Sequence, residues 1–222
     1  MGFYETLEKE TAPEREKFLA IPLVEQAVRS GGPRPLYLAF LEQAYHHVSH
    51  TFPLLALAAS RTTDERYQDA LVEYMEEERG HEKWILDDIR ILGGDAQRVR
   101  EGQPAPACAI MVGYAYYAIE HISPYAMLGS VHVLEGMSVR LADKLADAVK
   151  ASFGTTSEKG FSYLRSHGSL DQEHVAFFRE LVDGFEDAET QRIIIENSRI
   201  FYRLYGAIFE DLGTESGLLY AA

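Results

Sequence analysis

Apolar residues recur at a helical period along nearly the whole chain. In residues 35–59, Leu38, Leu41, Ala44 and Val48 follow one another at spacings of three or four, which places them on one face of a helix. The sequence lacks the alternating pattern and turn signals of β-hairpins. The pattern predicts helices over residues 4–30 (one long or two short helices), 35–59, 65–92, 107–152, 163–178 and 188–212.

Glycine and proline residues indicate where these helices end or bend. Gly31-Gly32-Pro33 and Gly93-Gly94 are typical of helix ends, Pro53 predicts a kink, and Ser123-Pro124 predicts a break within residues 107–152. Residues 163–178 are expected to form one helix or two helices that meet near Gly168-Ser169. Gly213 is expected to end the last helix.

Residues 94–106 form the one long polar segment and are expected to be a loop. A domain boundary is not placed there, because the long apolar helices on either side need each other for burial. The chain is therefore predicted to be all-α, with residues 1–222 forming a single helical bundle of about six or seven helices.

Charge and cysteine content narrow the possible partners. The 222 residues include 35 acidic and 21 basic side chains, which gives a formal net charge of −14. Such a surface argues against nucleic acid or an anionic membrane as a partner. The chain has one cysteine, Cys108, and the sequence shows neither a signal peptide nor an apolar run long enough for a membrane span. We therefore expect a cytoplasmic protein.

Residues 163–178 contain the first candidate metal ligands. His167, Asp171 and His174 are separated by four and seven positions, so in a helix they lie within about 60° of one another on one face. Two imidazoles and a carboxylate in this arrangement suit a divalent transition metal such as iron or zinc. The alternative is an exposed polar helix face that happens to contain two histidines.

Residue types that bind metals recur on other predicted helices. Glu78 and His81 form a Glu-x-x-His pattern, which carboxylate-bridged di-metal bundles use, and Glu77 is an alternative carboxylate. Glu135 lies in an apolar stretch, where a carboxylate is costly unless it is paired or bound to metal. His46 lies on a further helix, 35–59. The alternative interpretation of the acidic run around Glu78 is a solvated helix face.

This set resembles the heme-oxygenase-like di-iron oxidases and oxygenases, within the superfamily of thiaminase II and pyrroloquinoline-quinone synthase C. The resemblance depends on His81, on Glu135 some fifty residues later, and on the run His167-x-x-x-Asp171-x-x-His174. It implies a heme-oxygenase-like helical bundle in which these residues, with Glu78, hold iron. Tyr74 stands where many members have a further glutamate.

The resemblance implies that a pair of ferrous ions and dioxygen oxidise a small organic substrate by N-oxygenation, desaturation or oxidative decarboxylation. Glu42, His46 or His47 could complete the ligand set, and Tyr45, Tyr74 and Tyr114 would line the pocket. A homodimer is expected by analogy. Two alternatives stay open, a metal-free hydrolase or cofactorless oxidase of the same superfamily, and a non-catalytic module that binds a small molecule or metal.

Overall fold

The computed structural model of the chain describes residues 2–215, and within residues 167–174 it describes the backbone alone. All the regular secondary structure in this part of the chain is α-helical, which confirms the predicted class. The helices are α1 (Phe3–Glu10), α2 (Ala12–Leu19), α3 (Pro22–Ser30), α4 (Arg34–Val48), α5 (Thr51–Arg61), α6 (Glu65–Glu78), α7 (His81–Ile91), α8 (Ala96–Glu101), α9 (Pro106–His121), α10 (Ala126–Ser152), α11 (Ser162–Asp183) and α12 (Ala188–Glu215).

The helices are more numerous than the six or seven expected, because several predicted helices are divided. Residues 4–30 form three helices, and residues 35–59 are interrupted at Ser49-His50 rather than kinked at Pro53. Pro53 lies in the first turn of α5, where its missing N–H costs no intrahelical hydrogen bond. Residues 65–92 are divided at Arg79-Gly80.

Two further expectations about boundaries were wrong, at 94–106 and at Gly213, and the alternative left open for residues 163–178 is resolved as one helix. The segment 94–106 contains the short helix α8, whose first turn is capped by the Asp95 carboxylate accepting from the Arg98 N–H at 2.9 Å. The backbone of α11 is continuously helical through Gly168-Ser169. Helix α12 continues past Gly213 to Glu215. A glycine lowers helix propensity by only about 1 kcal/mol relative to alanine, so packing of the helix can override it.

Helix α10, with 27 residues, is the central element of the fold. It packs against α3, α9, α11 and α12. Buried apolar side chains from these and the other helices form two clusters, one of which lies between α4, α7, α10 and the start of α11. No helix within residues 2–215 has the length and the low charge content that a bilayer span requires.

The closest approach between α10 and α12 occurs at Gly129. A methyl group at this position would lie 2.7 Å from the Asn197 Cβ and 2.8 Å from the Ser198 backbone nitrogen. A helix interior is a poor place for glycine, so its presence here is explained by the contact with α12.

Asp88 anchors the start of α11. Its carboxylate is fully buried and accepts hydrogen bonds from the Ser162 N–H (3.1 Å), the Ser162 hydroxyl (2.8 Å) and the Tyr163 N–H (2.8 Å). Burial raises the pKa of Asp88, and the hydrogen bonds from Tyr163 and Ser162 oppose that shift. Because Asp88 belongs to α7, this contact fixes α11 relative to α7.

His132 connects the N-terminal helices to α10. The Thr11 hydroxyl donates to the Leu7 carbonyl at 2.7 Å, and the same oxygen lies 3.1 Å from the His132 Nε2. Since the hydroxyl has a single proton, Nε2–H must be the donor to Thr11. Burial, aided by the nearby Arg15 and Arg140 charges, lowers the pKa of His132 to about 3, so the imidazole is neutral at physiological pH.

We expect Gly129→Ala to destabilise the fold by about 1–3 kcal/mol, because its added methyl group would overlap α12. Gly136→Ala is the matched control in the same helix, since no described atom outside the local turn of α10 lies within 4 Å of a methyl group built there. It should be neutral or stabilise by up to about 1 kcal/mol. Urea unfolding of both variants measures the difference, and equal effects would contradict the close contact at Gly129.

His132 should make the fold sensitive to mild acid. Below its ordinary pKa of about 6.5 the unfolded chain gains a proton here, whereas the folded chain does not until pH approaches 3. Between pH 7 and pH 5 the free energy of unfolding should therefore fall by about 2 kcal/mol through this residue. In His132→Gln, which keeps a donor for Thr11, that part of the pH dependence should be absent. Denaturant titrations at pH 7 and pH 5 measure this. If the free energy of unfolding falls equally in both proteins, the assignment is wrong.

Candidate functional site

A cavity of about 140 Å³ lies at the centre of the bundle. Most of its wall is apolar and comes from α2, α3, α4, α5, α9, α10 and α12. Polar side chains interrupt this wall at Tyr74 and Glu78 of α6 and at Glu135 of α10. The cavity thus combines an apolar volume with a small group of oxygen donors.

The break between α6 and α7 places Glu78, one of these oxygen donors, beside His81. Gly80 has φ of +98°, a backbone conformation that side-chain-bearing residues rarely adopt. The break leaves Glu78 as the last residue of α6 and His81 as the first residue of α7. The Glu78 Oε2 and the His81 Nδ1 lie 3.2 Å apart, and both side chains are buried.

Glu78 differs from its neighbours in the acidic run in its exposure and in its contact with the cavity. Glu76 and Glu77 are exposed, whereas Glu78 is 9% exposed and borders the cavity. The His81 ring stacks on Trp84, with ring centroids 4.2 Å apart and planes at 23°. Of the two carboxylates that the sequence left open, Glu78 is the one that faces His81 and the cavity.

Glu135 of α10 and Tyr74 of α6 face the cavity from two different helices. One Glu135 carboxylate oxygen is buried, and the Tyr74 side chain is fully buried. Burial raises the pKa of the Tyr74 hydroxyl well above 10, and the negative charges of Glu135, Glu77 and Glu78 raise it further. Tyr74 is therefore protonated at physiological pH and keeps a proton to donate.

Among the residues whose side chains are described, no three or more histidines, cysteines, aspartates or glutamates are close enough to hold a metal ion. The side chains of the predicted ligands His167, Asp171 and His174 lie outside the described part. The helix that contains them, α11, packs against α7, which carries His81, and against α10, which carries Glu135. The described part of the chain thus supplies some of the predicted donors, on helices adjacent to α11.

Other predicted site residues lie elsewhere. His46 is buried near Glu42, His50 and Arg98 and does not border the cavity. Glu42 accepts two hydrogen bonds from Arg98, at 2.6 and 3.1 Å. Burial lowers the pKa of His46. Its neighbour His47 borders the cavity instead, as its position three residues after Ala44 on the apolar face of α4 could have indicated.

Two of the three candidate tyrosines also lie away from the cavity wall. The Tyr114 hydroxyl donates to the Asn197 Oδ1 at 2.7 Å, and the Tyr45 ring packs against His46. Two tyrosines that sequence reasoning did not select, Tyr163 and Tyr205, do border the cavity. Helical periodicity alone did not separate these residues, because α4, α6, α9, α11 and α12 all have tyrosines on buried or partly buried faces.

The charges around the cavity favour a cation inside it. Glu78 and Glu135 are the acidic groups of the wall, and the described side chains that line it include no lysine or arginine. Two carboxylates facing an apolar volume are costly without compensation. Glu78 has the His81 imidazole 3.2 Å away, and a cation in the cavity would lower the cost of burying these carboxylates further.

Comparison with known proteins identifies a protein family whose model matches most of the chain. The model of a protein family described as iron-containing redox enzyme matches residues 38–206. No curated protein sequence matches the chain significantly.

Several solved structures share the fold. A domain of unknown function with a heme oxygenase-like fold from Shewanella denitrificans superimposes with a TM-score of 0.88 at 21% identity, over 98% of this chain and 95% of that one. Heme oxygenase-2 from Synechocystis, in complex with heme and NO, gives 0.79 at 13% identity, over 99% and 88%. A TenA homologue from Pseudomonas syringae gives 0.78 at 12% identity, over 95% and 92%. The chain therefore has the heme oxygenase-like fold.

Proposed function

The chain belongs to the family of iron-containing redox enzymes, and from that premise we propose that it binds iron beside the central cavity and uses dioxygen to oxidise a small organic substrate. The observation that supports this most directly is the buried pair of Glu78 and His81, 3.2 Å apart, in which Glu78 borders the same cavity as Glu135. N-oxygenation, desaturation and oxidative decarboxylation are the three reactions that we expect this class of site to perform.

The donor types fit iron. Carboxylate oxygen and imidazole nitrogen are ligands that ferrous and ferric ions accept in proteins. Glu78, His81 and Glu135 would hold the ion together with His167, Asp171 and His174 of α11, and we propose that this set binds a pair of ions. Bound iron supplies the redox chemistry with dioxygen that amino-acid side chains lack.

The protein's own side chains would orient the substrate and control protons and water. The apolar wall excludes water, so the electrostatic interactions of a bound substrate are stronger there than in solvent. Tyr74 is protonated and faces Glu135, which makes it the candidate to donate a hydrogen bond or a proton to a substrate oxygen or to that carboxylate. The buried carboxylates also favour this function over a metal-free hydrolase, because a metal ion would compensate their charge.

Iron binding provides the first test, and the variant Glu77→Ala is its matched control. We expect Glu78→Ala, His81→Ala and Glu135→Ala to weaken binding of ferrous iron under anaerobic conditions by at least about tenfold, because each removes a donor. Glu77→Ala removes a neighbouring carboxylate that is exposed and does not border the cavity, and it should weaken iron binding much less than Glu78→Ala does. Calorimetric titration and iron per chain after desalting measure the effect.

Oxygen uptake tests the reaction. The iron-loaded wild type should consume dioxygen, and the three donor variants should consume much less at equal protein concentration. If iron does not bind, or if Glu77→Ala and Glu78→Ala lose it equally, this site is not the iron site. If iron binds but no oxygen is consumed with any reductant and substrate mixture, the chain is a metal-binding module.

A further inference from the structure

Trp84 is the only tryptophan of the chain, and its indole ring stacks on the imidazole of His81. The ring centroids lie 4.2 Å apart, which is close contact between two π systems. His81 is buried, whereas Trp84 is half-buried and does not border the central cavity. The indole therefore extends from a proposed iron donor to the surface of the protein.

The stack is set by the start of α7. His81 and Trp84 are three positions apart in the first turn of this helix, and side chains at that spacing share a helix face. The Glu78 Oε2 lies 3.2 Å from the His81 Nδ1, so the imidazole has a carboxylate at its edge and the indole on its face. Trp84 thus contacts the proposed donor itself.

Other side chains that are readily oxidised lie inside the bundle. Tyr74 and the thioethers of Met111, Met127 and Met137 border the central cavity, and all four side chains are buried. A reductant in solution does not reach them, so their oxidation would leave lasting damage such as methionine sulfoxide in the core. Trp84, by contrast, touches a proposed donor and is accessible from solvent.

A site that reacts with dioxygen needs a source of electrons when no substrate is bound. Reduction of dioxygen to two water molecules takes four electrons and four protons, and a pair of ferrous ions supplies two of the electrons. Without a substrate, the nearest sources of the other two electrons are the side chains around the site. The protein must therefore provide a route for these electrons if the cavity wall is to stay intact.

We propose that Trp84 passes these electrons, one at a time, from a small reductant of the thiol or ascorbate class to the oxidised iron site through His81. The indole loses one electron to the iron site and releases its Nε1 proton to water. The reductant then returns a hydrogen atom to the indolyl radical, which restores Trp84. Two such cycles complete the reduction of dioxygen, and its four protons come from solvent. The proposal rests on the proposed function, because it needs iron bound at His81.

Peptide mass spectrometry tests this route in the full-length protein. The ferrous-loaded wild type is exposed to air without substrate, with catalase present to remove free peroxide. Without a reductant, Trp84 should gain oxygen atoms, while Met111, Met127 and Met137 should stay unmodified. With ascorbate, Trp84 should stay intact while oxygen uptake continues. If the three methionines are oxidised and Trp84 is not, the proposal is wrong.

Iron that is free in solution is controlled for by Glu135→Ala. This variant lacks one proposed iron donor but keeps the stack of Trp84 on His81, so its Trp84 should be oxidised much less than that of the wild type. Equal oxidation of Trp84 in Glu135→Ala and in the wild type would mean that unbound iron attacks an accessible indole, and it would overturn the proposal.

Two substitutions separate electron transfer from a positioning role of the ring. Trp84→Phe keeps a ring against His81 but resists one-electron oxidation, so oxidation should move to the cavity methionines and ascorbate should no longer prevent it. Trp84→Tyr provides a ring that can be oxidised and should restore the protection by ascorbate. Calorimetric titration should show similar iron affinity in both variants and the wild type. If ascorbate protects Trp84→Phe as well as the wild type, the proposal is wrong.

The measurements on the wild type with and without ascorbate decide the proposal even if Trp84→Phe does not fold. They also separate it from the proposed function. If the wild type binds no iron, the proposed function fails and the Trp84 route fails with it. If iron binds and dioxygen is consumed but Trp84 is never oxidised, the proposed function stands and the Trp84 route alone fails.

Discussion

Charged side chains can be kept inside this bundle only where something compensates the loss of water, and this constraint organises the structure. Asp88 is compensated by two backbone N–H groups and a hydroxyl at the start of α11. Glu8 accepts from Arg15 and Arg140 at 3.1 and 2.8 Å, which attaches α1 to α2 and α10. Glu78 lies against His81 at the cavity. Each arrangement fixes one helix relative to another, because a buried carboxylate without a partner is expensive.

The cavity follows from the way these helices are held. Helix α10 is long enough to contact α3, α9, α11 and α12, and its glycine at position 129 lets α12 approach closely. Glu135 lies six residues further along the same helix and faces the cavity. The element that organises the core therefore also presents a carboxylate to the interior, and the apolar surroundings make a cation its natural partner.

The sequence by itself determined the all-α class and most of the helical segments, because the 3.6-residue apolar period is a local property of the chain. It also predicted Glu78, His81 and Glu135 as metal ligands; Glu78 and Glu135 border the cavity, and His81 lies beside Glu78. Only the tertiary structure showed that a cavity lies where these helix faces meet, and that Glu78 and His47, rather than Glu77 and His46, border it. Glu78 lies four residues after the buried Tyr74 on the same face of α6, so the helical period orders the side chains around one helix. Which of those faces surrounds a cavity depends on the packing of helices that are distant in the sequence, and a local pattern does not encode that packing.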